Sequence, residues 1–195
     1  MTDIHPHATL PRYDKETLLG QQGIVLWFCG LSGSGKSTIA SGVERVLHQQ
    51  GRFTIRLDGD NLRTGLNANL GFSDDDRLEN IRRTAELAKI LAHNGVIVLC
   101  SLITPRGMHR DMARGILEED LALVYVKASY AACEARDVKG LYAKAAKGEV
   151  AHFTGRDSGF EEPQNAELVL DTERMTVEDA VSEVLDFVSG RLASA

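Results

Sequence analysis

An α/β fold, with a five-stranded parallel sheet covered by helices on both faces, is predicted by three observations. Five short apolar runs recur along the 195 residues, interleaved with segments whose apolar residues fall at helical spacing. The first run leads directly into a glycine-rich loop that opens a helix. The runs are continuously apolar, as strands buried on two faces are.

The elements follow in chain order. Residues 1–20 carry Pro6, Pro11, His5 and His7 with mixed charge and no periodicity, which predicts a surface-draped or mobile N-terminal arm with solvent-exposed histidines. Residues 21–195 are read as a single domain. Ile24 to Cys29 predicts a buried strand, and Thr38 to Gln50 a helix, since Ile39, Ala40, Val43, Val46 and Leu47 line one face and Gly51 supplies the stop. Further strands are expected at 53–57, 96–100, 121–126 and 168–170, and further helices near 75–93, 108–118, 130–136 and 176–192. In the last helix Val177, Val181, Val184, Leu185 and Val188 share a face, with Thr176 as N-cap. Residues 137–163 break the pattern: glycines at 140, 148, 155 and 159 stand among lysines and aromatics without a core-facing stripe, as in a lid over a reaction that must exclude water.

Between the first strand and its helix lies Gly30-Leu31-Ser32-Gly33-Ser34-Gly35-Lys36-Ser37, which fits G-x-x-x-x-G-K-[ST]. A polyphosphate is a dense anion needing many donors at short range. Gly30, Gly33 and Gly35 let the backbone curl so that N–H groups from Ser32, Ser34 and Thr38 as well turn inward, and the helix adds its positive end. Lys36 reaches the β and γ phosphates, and the Ser37 hydroxyl holds Mg²⁺. The fold class is therefore a P-loop NTPase-type three-layer sandwich, with its ligands at the carboxyl ends of the strands.

After the second strand come Asp58-Gly59-Asp60-Asn61-Leu62-Arg63, then Gly71-Phe72-Ser73, then Asp76 to Arg83. Two carboxylates at a strand end beside the phosphate loop suit a metal or the proton of an attacking hydroxyl. Arg63 and Arg77 suit a second anion. Spacing does not separate Asp58 from Asp60 as the base.

Composition narrows the classes. A net charge of −6 excludes a general nucleic-acid or membrane-surface binder, and no run approaches a membrane span. The three cysteines, Cys29, Cys100 and Cys133, form neither a disulfide framework nor zinc spacing, so they are expected in the core of a cytoplasmic protein.

In their joint order and spacing, GLSGSGKST, LDGDNLR, LGFS, DRLENIRR, RDVKGLY and FTG resemble the adenylylsulfate kinases over about residues 10–190. The resemblance implies transfer of the ATP γ-phosphoryl group to the 3′-hydroxyl of adenosine 5′-phosphosulfate, with Mg²⁺, in a homodimer serving sulfate assimilation. By position it implies acceptor contacts from Asp60, Asn61, Arg63, Phe72, Arg77, Asn80, Ile103, Lys139 and Phe153, with Phe72 and Phe153 around an adenine. Arg136 corresponds to an arginine facing the ATP adenine; a cation at a helix C-terminus is the alternative. Where many relatives have Ile-Ser-Pro, with the serine a phosphorylated intermediate in bacterial members, this chain has Ile103-Thr104-Pro105. Direct in-line transfer needs no such intermediate, so Thr104 is assigned to substrate contact. His152 replaces a common glycine before Phe153. The rival readings are a small-metabolite kinase, which leaves the later motifs unexplained, and a nucleotide-sensing module, against which the retained Lys36, Ser37, Asp58, Asp60 and Arg63 argue.

Overall fold

Strands β1 (Ile24–Cys29), β2 (Thr54–Asp58), β3 (Ile97–Ser101), β4 (Leu121–Lys127) and β5 (Leu168–Asp171) pair in parallel in the order β2-β3-β1-β4-β5. The computed structural model describes residues 7–149, 154–155 and 159–192. All five predicted strands are present, with β2 and β3 displaced by one residue from expectation. Alternation along β1 explains its unbroken apolarity. Ile24, Leu26 and Phe28 pack on one face with Ile39, Val43 and Leu47 of α2 (Lys36–Gln49) and Val184 and Val188 of α8 (Val177–Leu192). Val25, Trp27 and Cys29 pack on the other, with Ile81, Ala85 and Ala88 of α4 (Asp74–Ala92) and Ala113 and Leu117 of α5 (Gly107–Leu117). A side chain of either parity thus meets a helix layer. Cys29, Cys100 and Cys133 are all buried and free, and burial pushes the Cys29 thiol up to about 12.

Four segments differ from expectation, one being the short helix α3 (Gly59–Arg63), which no helical periodicity announced. The stretch read as an arm contains α1 (Arg12–Leu19), which buries none of its own residues and therefore shows no apolar stripe. It is fastened by charge instead: Arg12 donates to Glu16 and Asp120 at 2.7 Å each and to the Gly23 carbonyl at 2.7 Å. His7 is exposed, while His5 lies outside the described residues. Within the segment read as a lid, α7 (Leu141–Ala146) follows α6 (Tyr130–Arg136); six residues with Tyr142 and Ala145 buried three apart are too short to register as a stripe. In α8, Thr176 caps as expected, accepting from the Asp179 N–H at 3.1 Å, but Val177 is exposed because it precedes the first turn that reaches the sheet.

Parallel strands carry all their carboxyl ends to one edge. The central β1, flanked by β3 and β4, delivers the glycine loop there, while β2 delivers α3 (Gly59–Arg63) and β3 delivers residues 102–105.

Candidate active site

The glycine loop is built by close approach. A Cβ at Gly30, where φ is +148°, would stand 2.4 Å from the Val126 carbonyl, so only glycine passes over the end of β4. The exits of β1 and β3 are cross-linked, with the Gly30 N–H on the Ile103 carbonyl and the Leu102 N–H on the Phe28 carbonyl, both at 3.2 Å. Lys36, in the first turn of α2, is buried and donates to the carbonyls of Gly30 at 3.0 Å and Leu31 at 2.6 Å. Burial lowers its ammonium to about 8; the neighbouring Cys29, Cys133 and Asp58 oppose the shift and Lys139 adds to it.

Ser37 donates to Asp58 Oδ2 at 2.6 Å, and Asp58 Oδ1 accepts the Asp60 N–H at 3.0 Å as the N-cap of α3. One carboxylate therefore joins the phosphate loop to the segment read as the acceptor site. The Asp60 carboxylate points elsewhere, forming an ion pair with Lys139.

Across the cavity, Arg63 donates to the carbonyls of Leu70 and Gly71, with its guanidinium 4.4 Å from the centre of the Phe72 ring. Arg77 donates to the Phe72 carbonyl at 2.9 Å and to Thr154 Oγ1 at 3.0 Å, and its guanidinium lies 5.9 Å from the same ring. Burial lowers the pKa of both arginines; at Arg77 the neighbouring Arg63 and Arg106 add to the shift, a cost that an anionic ligand relieves, whereas at Arg63 the carboxylates of Asp60 and Asp76 oppose it. Asn80 accepts from the fully buried Asn67 at 2.6 Å.

These groups share one cavity of about 410 Å³. On its phosphate side stand Ser32, Gly33, Gly35, Lys36, Ser37 and Thr38; on the other, Asp60, Arg63, Phe72, Arg77, Asn80 and Lys139; and Asp58, Ile103 and Thr104 lie between. Four predicted contacts do not line it. Gly30 and the buried Ser34 sit behind the loop, Asn61 is exposed on α3, and Arg136 donates to Thr172 Oγ1 at 3.0 Å and to its carbonyl at 2.7 Å. Arg136 is also in the last turn of α6, where its charge suits the helix C-terminus. Phe153 and His152 lie outside the described residues.

Thr104 is the most constrained residue here. It adopts φ +46°, unusual for a β-branched side chain, and is buried. Its hydroxyl accepts from Trp27 Nε1 at 2.9 Å and donates to the Leu102 carbonyl at 3.4 Å, while its carbonyl accepts from Arg110 at 3.0 Å. Trp27, Asn67, Arg110, Tyr142 and Thr172 escaped the sequence reading, because each acts through a neighbour that only the fold supplies, and Ser101 escaped it because only the fold brings it to the cavity wall. Tyr142 and Thr154 had a signal, since both lie inside quoted motifs.

A glycine loop on the central strand of a parallel sheet, with a buried lysine and a serine–aspartate bond at the cavity floor, defines a nucleotide-dependent phosphotransferase. The family model described as adenylylsulphate kinase matches residues 22–171, and the chain belongs to that family. It is similar to the adenylyl-sulfate kinase of Clostridium kluyveri, 51% identical over 96% of this chain and 95% of the other. That of Bacteroides thetaiotaomicron is 49% identical over 92% and 90%. The structure of the Mycobacterium tuberculosis APS kinase in complex with AMPPNP and APS superposes with a TM-score of 0.84 at 46% identity, covering 86% of this chain and 98% of the other. The resemblance noted from the motifs is thereby confirmed, as is the fold class.

Proposed function

We propose that this chain moves the γ-phosphoryl group of ATP to the 3′-hydroxyl of adenosine 5′-phosphosulfate, giving ADP and 3′-phosphoadenosine 5′-phosphosulfate. The observation that carries the reading is the Ser37–Asp58 hydrogen bond, which joins a triphosphate seat and an arginine-rich anion seat into one cavity. The loop receives the ATP phosphates, and Lys36 leaves the Gly30 and Leu31 carbonyls for the β and γ oxygens. Arg63 and Arg77 face the phosphosulfate, with Phe72 offering its ring to the adenine and Asn80 fixed by Asn67.

The donor set suits Mg²⁺: Ser37 and Asp58 offer hard oxygens, and on the same wall the buried Ser101 hydroxyl has no partner among the described residues. No group of three or more His, Cys, Asp or Glu side chains stands together among the described residues, so phosphate and water oxygens would have to supply the remaining ligands. Bound there, the ion would neutralise charge developing between the phosphates. Asp58, at the junction of the two seats, receives the proton of the acceptor hydroxyl, and Asp60 with Lys139 orients the acceptor. Arg136 steadies the ATP side through Thr172. The protein works as a homodimer in the cytoplasm, a reducing compartment that suits its buried free thiols.

Coupled measurement of ADP release tests the reading. Release is expected with adenosine 5′-phosphosulfate and not with gluconate or shikimate; tight binding without release would identify a nucleotide sensor instead. Asp58→Asn is expected to lower kcat about 10²- to 10⁴-fold, whereas Asp60→Asn chiefly raises the acceptor KM.

A further inference from the structure

A loop that cradles phosphate with its N–H groups must have its carbonyls held away from the anion. In this chain four loop carbonyls have side-chain donors. Lys36 takes those of Gly30 and Leu31, the Tyr142 hydroxyl takes that of Ser32 at 2.8 Å, and the Thr172 hydroxyl takes that of Ser34 at 3.0 Å. Lys36 is also the group that must turn to the phosphates. Once it does, the described side-chain donors that continue to hold carbonyls of the loop are Tyr142 and Thr172.

We propose that Tyr142 is a positioning residue for ATP: through its hydroxyl on Ser32, the base of the lid fixes the shape of the phosphate loop. The proposal rests on the reading of that loop as the seat of the ATP phosphates. The tyrosine is well anchored for the task. Its ring is buried beside Leu31, Cys133 and Ala145 and meets the edge of Tyr130 at 5.1 Å between centroids. Its own N–H and that of Ala143 are both held by the Asp137 carboxylate at 3.0 Å, which locks the first turn of α7. The hydroxyl therefore meets Ser32 from a fixed direction, so a bond to a loop carbonyl costs little further ordering. Thr172, at the end of β5, holds the loop from the opposite side and is itself gripped by Arg136.

Tyr142→Phe keeps the ring and removes the bond to Ser32, together with the hydroxyl's contact to the Cys133 thiol. In calorimetric titration with a non-hydrolysable ATP analogue and Mg²⁺, the variant is expected to bind about five- to tenfold more weakly than wild type, with its melting temperature unchanged. In turnover, the ATP KM rises by the same factor while the acceptor KM stays within about twofold. Thr172→Val is expected to act in the same direction from the other side. Unchanged analogue affinity in Tyr142→Phe overturns the proposal, as does an equal loss for both substrates accompanied by a lower melting temperature. Failure of the wild-type protein to bind the analogue would instead remove the ATP seat itself.

Discussion

The glycine loop and the arginine wall face each other across one cavity, yet they are held by different means. The loop is fixed by backbone and core: glycine over the Val126 carbonyl, cross-links to the exit of β3, and a helix whose apolar face is buried in the sheet. The arginine wall is fixed by long side chains, with guanidiniums on loop carbonyls and over a half-exposed phenylalanine, and with Lys139 reaching across to Asp60. Phosphate is the same on every nucleotide, so a rigid seat serves it. The acceptor must be admitted, recognised and released, and on this wall the exposed Lys139–Asp60 pair breaks at little cost.

The largest test of that contrast removes the charge on the rigid side. Lys36→Met is expected to lower turnover by about 10³-fold or more, because the ammonium acts where charge develops, while circular dichroism stays that of the wild type. On the arginine wall the effect is smaller and selective. Arg63→Ala and Arg77→Ala are each expected to raise the acceptor KM about 10- to 100-fold, with the ATP KM nearly constant. Steady-state titration of each substrate decides this; equal losses for both nucleotides would mean that the two walls are not separate.

A third effect sets binding against stability on one group. Lys36 titrates near 8 in the fold because burial disfavours its charge, against 10.5 for an ordinary lysine. Above about pH 8 the free enzyme loses the cation that ATP requires, so the ATP KM is expected to rise by about tenfold per pH unit. Stability moves the other way. Since the unfolded chain holds more protons between the two values, the cost of the buried cation is full below pH 8 and fades as pH rises toward 10.5. Melting and KM profiles over this window should therefore diverge, and the stability rise assigned to this group should vanish in Lys36→Met.

The same contrast explains what the sequence made legible. A buried strand, a glycine loop and an amphipathic helix are local patterns, so β1, the loop and α2 could be placed before any coordinates. Asp58, Asp60, Arg63 and Arg77 were visible as motif residues, but their division of labour was not. Only the fold sets Asp58 on Ser37 and Asp60 on Lys139. Trp27 looked like core, and it is core, yet its indole N–H holds Thr104 from 77 residues away. Helix α1 was invisible because ion pairs, not an apolar stripe, fasten it.

Thr104 gives the smallest expected effect and separates two mechanisms. Its hydroxyl already has a donor in Trp27 and an acceptor in Leu102, and the residue is buried. A covalent route would have to break both bonds, place phosphate on a buried oxygen, and return it, which transfers the group twice and retains configuration at phosphorus. Direct transfer leaves the hydroxyl where it is. Thr104→Ala then removes one hydrogen bond and strands the indole N–H, a loss of about 0.5–1.5 kcal/mol or up to about tenfold in kcat. With a chiral γ-phosphate, both the variant and the wild type should invert configuration. Thr104→Ser, which restores the hydroxyl without the methyl branch, should recover most of the loss and relieve part of the strain at φ +46°. Retention of configuration in the wild type, together with an inactive alanine variant, would assign the phosphoryl group to Thr104 and reverse the reading of this residue from wall to nucleophile.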